Sequence, residues 1–105
     1  MKLEKILNNI DYKLIKGNLD TEVTGLYYDS RKVTKGSAFI CLSGTQVDGH
    51  DYIKSAIEKG ATTIIIEKDV EVSEDVTVVK LPNTRKNLSL LAINYFDNPA
   101  SKLTM

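Results

Sequence analysis

The run Asp51-Tyr52-Ile53-Lys54-Ser55-Ala56-Ile57-Glu58-Lys59-Gly60-Ala61-Thr62-Thr63-Ile64-Ile65-Ile66-Glu67 changes its hydrophobic period partway along. Tyr52, Ile53, Ala56 and Ile57 recur at helical spacing on one face, which predicts a helix over about residues 51–59. Gly60 then stands where a helix commonly ends on a left-handed residue. From Ala61 onward β-branched side chains take over, and 62–66 reads as a strand. Upstream, Ala38-Phe39-Ile40-Cys41-Leu42 is a second short apolar run without alternation, as expected of a strand buried on both faces. Strand, helix and strand in that order point to an α/β fold with parallel pairing.

Toward the C-terminus, residues 67–75 form an acidic stretch read as a solvated loop or edge, and 76–81 is a further strand. Pro82-Asn83 opens a last helix, with Asn83 or Thr84 as its cap. Leu88, Leu91, Ala92 and Tyr95 make the buried stripe of that helix, and Asn98-Pro99 ends it. Toward the N-terminus, Thr34-Lys35-Gly36-Ser37 is a turn signal. Residues 12–15 and 23–28 read as two strands with Gly17-Asn18-Leu19-Asp20 as a turn between them. Leu3, Ile6, Leu7 and Ile10 have the spacing of a short amphipathic helix. The expected fold class is α/β: one domain over 1–105 with a mixed β-sheet flanked by helices.

At 105 residues, 42% hydrophobic and 27% charged, the chain has the composition of a soluble globular domain. A domain this small buries roughly 60–70% of the surface of its unfolded chain, enough for a core without staples. Fourteen basic residues balance fourteen acidic ones. The basic ones are scattered among acids rather than gathered in a stripe, which sets nucleic acid aside as a partner. No stretch approaches the ~20 apolar residues of a membrane helix. The N-terminus has an acid and no long apolar core, unlike a secretory signal. No membrane partner is expected; a cytoplasmic monomer is. Cys41, the single cysteine, sits in an apolar run and reads as a buried inert thiol.

Two segments are unusually polar for their positions. Tyr28-Asp29-Ser30-Arg31 follows a strand, and Ser43-Gly44-Thr45-Gln46-Val47-Asp48-Gly49-His50 joins a buried strand to a helix. Ligands of open α/β sheets gather outside the carboxyl ends of strands, where such loops converge. Ser30, Thr45 and Gln46 carry donors suited to phosphate or to a pyrimidine edge. Plainer readings stand beside this one. Asp29-Ser30 also fits a turn bonding its own backbone, and Arg31 fits an ion-pair partner of Asp29 or Asp48. The 43–50 loop also fits an ordinary connection. His50 has no second ligand nearby in the sequence and reads as a surface residue, so no metal ligand set is expected. No catalytic acid–base or nucleophile pair can be assembled, and no Gly-x-x-x-x-Gly-Lys-Ser/Thr loop is present. Taken alone, the residues describe a binding module.

The run Asp29-Ser30-Arg31-Lys32-Val33-Thr34-Lys35-Gly36-Ser37-Ala38-Phe39-Ile40 resembles the pattern D-S-R-x-V-x-x-G-x-x-F. It continues through Gly44, Asp48-Gly49-His50-Asp51-Tyr52-Ile53, Ala56-Ile57 and Gly60-Ala61. The composite, dense over 23–66 and colinear through Pro99, is similar to the N-terminal domains of Mur ligases. The tail from Leu81 through Arg85, Leu91, Tyr95-Phe96 and Pro99 resembles the MurE type. This resemblance implies that the chain binds the uridine-diphosphate end of UDP-N-acetylmuramoyl-L-alanyl-D-glutamate. The parent enzyme would then be an ATP-dependent ligase adding the third stem-peptide residue of peptidoglycan, meso-diaminopimelate or L-lysine. Central ATPase and C-terminal domains are expected outside this chain, so the fragment alone would lack cofactors and activity, while the parent would use ATP and Mg²⁺. The resemblance places Tyr28 and Ser30 in one substrate loop and Thr45, Gln46 and Val47 in the other. Ser30, Thr45 and Gln46 would meet phosphate or uridine, with Tyr28 and Val47 as apolar walls. A MurF-type ligase domain and a non-catalytic protein-interaction module are the alternatives.

Overall fold

In the computed structural model, which describes residues 2–42, 49–72 and 75–96 (the backbone alone at 49 and 50), five strands form one sheet. They are β1 (Lys13–Lys16), β2 (Leu26–Tyr27), β3 (Ala38–Ile40), β4 (Thr63–Ile66) and β5 (Thr77–Lys80), in the order β1-β5-β4-β3-β2. Strands β2, β3, β4 and β5 run parallel, and β1 alone is antiparallel, paired to β5. The mixed α/β sheet expected from the sequence is the one observed.

Three helices cover the sheet: α1 (Leu3–Ile6), α2 (Ile53–Glu58) and α3 (Thr84–Phe96). Neighbouring residues of a strand point to opposite faces, so each central strand feeds two cores. Ala38, Ile40, Ile65 and Val79 pack under α1 and α3 with Leu3, Ile6, Leu7 and Leu91. Phe39, Cys41, Ile64, Ile66 and Val78 pack under α2 with Ile53 and Ala56. Cys41 is fully buried, as its apolar run suggested. The α1 layer is tied to α3 by Asn94, whose side-chain amide donates to the carbonyls of Ile6 and Asn8 at 2.8 Å each.

The two strands of the first half do not pair with each other: β1 and β2 occupy opposite edges of the sheet. Gly17-Asn18-Leu19-Asp20 does turn, with the Asp20 amide donating to Asn18 Oδ1 at 2.9 Å. From there the chain crosses to the far edge instead of folding back. Strand β2 is shorter than its β-rich sequence suggests. Val23 is buried in the core and Thr24 is bonded from its amide to the Gly36 carbonyl at 3.0 Å, ahead of the strand.

Gly60 ends the α2 connection with φ +113°, and a Cβ there would lie 2.6 Å from the Lys35 Cα. The tight approach brings the turn at 34–37 against it, where the Gly36 amide donates to the Gly60 carbonyl at 2.8 Å. Glycine is required at 60 both for its conformation and for that contact. Among the described residues no helix is long and apolar enough to cross a membrane.

Candidate functional site

Strands β2 and β3 are parallel neighbours, so the segments leaving them emerge at the same end of the sheet. Residues 28–31 leave β2 there. Ser30–Lys32 forms a 3₁₀ turn with Asp29 as its cap, the carboxylate Oδ1 accepting from the Arg31 amide at 3.0 Å. Arg31 folds back on that same carboxylate, donating from Nε to Oδ1 at 3.1 Å and from Nη2 to Oδ2 at 3.0 Å. The side-chain bond to the guanidinium, helped by the amide bond, lowers the Asp29 pKa to about 2. The same pairing raises that of Arg31. The Asp29-Arg31 pair is thus a local fork–fork contact, and both plainer readings of these two residues hold: Asp29 caps a turn and Arg31 is its ion-pair partner.

This pair leaves room beside it. A cavity of about 490 Å³ opens at the carboxyl end of β2 and β3, lined by Tyr28, Asp29, Ser30 and Arg31 on one wall. Phe39 and Leu42, from β3 and its exit, add apolar lining, and Tyr52 and Arg85 complete it. Tyr28 stands 62% exposed, an aromatic face offered to solvent at the rim. A second cavity of about 380 Å³ lies under α3, between Leu26, Ile40, Leu88, Ala92 and Phe96, and it shares Tyr28 and Arg85 with the first. The two hollows therefore meet along one Tyr28–Arg85 border. One side is polar and the other apolar.

The first turn of α3 is what brings Arg85 here. Asn83 caps the helix, its Oδ1 accepting from the Lys86 amide at 2.9 Å. Thr84, the other cap candidate, is fully buried and does something else. Its hydroxyl donates to the Cys41 carbonyl at 2.7 Å and its amide to Glu67 Oε1 at 2.9 Å. Those bonds fasten the helix start to the carboxyl ends of β3 and β4. Glu67 is accordingly not part of a solvated loop; its carboxylate neutralises an orphan N–H at the helix end, where the dipole favours it.

Of the expected site residues, Tyr28 and Ser30 line one cavity together. Thr45, Gln46 and Val47, like Asp48, lie outside the described residues, as do the side chain of His50 and the Asn98-Pro99 helix end. Tyr52 departs from expectation. It sits in a 3₁₀ turn (Gly49–Tyr52) ahead of α2, 40% exposed and turned to the cavity rather than packed with Ile53 and Ala56. Arg85 was not singled out from the sequence as a site residue. The signal was present, because it follows the carboxyl end of β5 just as 28–31 follows that of β2, and the same topological rule covers both. Among the described residues no three His, Cys, Asp or Glu side chains gather as a metal set.

A family model described as "Mur ligase family, catalytic domain" matches residues 22–96. The chain is 48% identical over 103 residues to the UDP-N-acetylmuramoyl-L-alanyl-D-glutamate--2,6-diaminopimelate ligase of Clostridium perfringens (strain 13 / Type A), covering 98% of this chain and 21% of that protein. With the ligase of the same name from Clostridioides difficile (strain 630) it shares 44% over 105 residues, 100% of this chain and 22% of that one. It thus spans about a fifth of the length of these curated relatives. Among solved structures, a MurF from Acinetobacter baumannii superposes with TM-score 0.77 at 21% identity, over 94% of this chain and 21% of that one. A MurF ligase from Thermotoga maritima in complex with ADP gives TM-score 0.60 at 29% identity, over 75% and 18%.

Proposed function

Since this chain belongs to the Mur ligase family, we propose that it is the first, substrate-holding domain of a UDP-N-acetylmuramoyl-L-alanyl-D-glutamate:diamino acid ligase. Its part is to bind the uridine-diphosphate end of that substrate. The observation that carries the reading is the rim itself. Tyr28 and Ser30 face a cavity at the carboxyl end of two parallel strands, the position where open α/β sheets take nucleotides. Tyr28 offers an aromatic face for a pyrimidine ring, and the Ser30 hydroxyl a donor for a phosphate or uracil oxygen. Thr45, Gln46 and Val47, in the loop that leaves β3, are assigned to the same ligand on the strength of the motif they sit in.

The parent ligase would draw on ATP and Mg²⁺ to activate the substrate carboxylate as an acyl phosphate. The residues of this chain do not fit that pair: the sequence holds no phosphate-binding glycine–lysine loop, and no acidic metal set converges among the described residues. No chemical step is assigned to this domain. Holding one end of the substrate reduces the freedom of the other, which is the chain's contribution to the ligation. The relatives' names support diaminopimelate as the amino acid added, and a bacterial cytoplasmic setting follows from the reading. Identity near one half to diaminopimelate ligases favours the MurE type over the MurF type, whose structures resemble this one in fold.

Titrating the chain with UDP and following the Tyr28 and Ser30 resonances tests this. Binding is expected near ~1 mM, about −4 kcal/mol, for a domain working without its neighbours. Ser30→Ala should weaken it by about two- to tenfold, the worth of one neutral hydrogen bond. A spectrum unmoved by saturating UDP would remove the assignment.

A further inference from the structure

We infer that Arg85, on the first turn of α3, is a diphosphate-binding residue of this rim, an inference that rests on the nucleotide reading above and adds a residue to it. A diphosphate brings more negative charge than hydroxyl donors can balance. Arg31 does not supply the difference. Two of its N–H groups are committed to the two oxygens of Asp29, and the pair is neutral over the whole physiological range because Asp29 keeps its charge. The helix end does not supply it either, since the Thr84 amide already donates to Glu67. Arg85 is the guanidinium that remains on the cavity wall, exposed at the border where the polar and apolar hollows meet.

Its placement is built rather than incidental. The residue before it, Thr84, is fully buried and bonded to the Cys41 carbonyl and the Glu67 carboxylate, so the backbone that carries Arg85 is pinned to the ends of β3 and β4. A cation held on a rigid helix turn binds an anion with less ordering cost than one on a loop. The border position also suits the shape of the ligand, with a planar base on one side of the guanidinium and two phosphates on the other.

The test is an NMR titration of the chain with UDP and, separately, uridine, at low and raised salt, for wild type, Arg85→Ala and Arg85→Lys. Arg85→Ala should weaken UDP binding by about tenfold or more, leave uridine binding unchanged, and flatten the salt dependence. Arg85→Lys should recover part of the loss, keeping the charge but not the fork. Equal UDP affinity in wild type and Arg85→Ala overturns the inference. So does an equal loss for UDP and uridine, which marks a structural role. Wild type that binds neither ligand sinks the nucleotide reading, and this inference with it; a variant melting like wild type shows that the fold is intact.

Discussion

Asp29 holds its proton affinity down through contacts made within three residues of itself. Two guanidinium bonds and one amide bond stabilise the carboxylate, moving its pKa from 3.8 to about 2. The sign follows from linkage: the unfolded chain takes up the proton first as pH falls, so this contribution is complete above the ordinary value and disappears as pH drops through about 2. Because the pair is solvent-exposed, its effect on stability is small, and the carboxyl titration is the sensitive readout. The ¹³C shift of Asp29 should show a midpoint near 2, and Arg31→Ala should move it most of the way back toward 3.8. An Asp29 titrating at the ordinary value in the wild type contradicts the geometry. The pairing was one of two partners considered for Arg31 from sequence, and proximity in the chain settled it. Ser30 and Tyr28 were legible as a loop after a strand, but their shared cavity was not, because a cavity needs walls from elsewhere.

At the scale of elements, α3 is positioned by bonds that its own pattern does not announce. The capping role of Asn83 could be read from its type and place. The burial of Thr84 beneath the sheet edge could not, since a threonine beside a helix start is equally at home in water. Replacing Thr84 with Val keeps the shape and removes the hydroxyl, leaving the buried Cys41 carbonyl short of a donor. That change should destabilise the domain by about 1–3 kcal/mol, measured as a lower urea midpoint at unchanged slope. It should also broaden Arg85 resonances by loosening the turn. No loss of stability would mean that the bond is replaced by water. At the other edge, β1 reads Lys-Leu-Ile-Lys and is irregular between Leu14 and Lys16. Lysines and a bulge protect an edge strand from pairing with other chains, so the edge position of β1 is legible once it is known to be an edge.

Across the whole molecule, one sheet carries two cores, and neighbouring residues of a strand serve different ones. Ile64 packs under α2 and Ile65 under α1 and α3, both fully buried. Ile64→Ala and Ile65→Ala should each cost about 2–5 kcal/mol. Their far- and near-ultraviolet circular dichroism transitions should coincide, because loss of either core strips the same strands. Separate transitions for the two variants would show that the layers unfold independently. The hydrophobic period of 51–67, the apolar run at 38–42 and the punctuation at Gly36 and Gly60 determined by themselves the kinds of element, their order along the chain and the α/β class. Those are consequences of local sterics and of which side chains avoid water, and neighbours in sequence suffice to express them. The tertiary structure alone decided that β1 lies across the sheet from β2, that Tyr52 faces the cavity, and that Arg85 joins Tyr28 and Ser30 at one rim. Such meetings depend on where each crossover closes, and loop closure changes in free energy only slowly with length, so no short window of residues carries the answer.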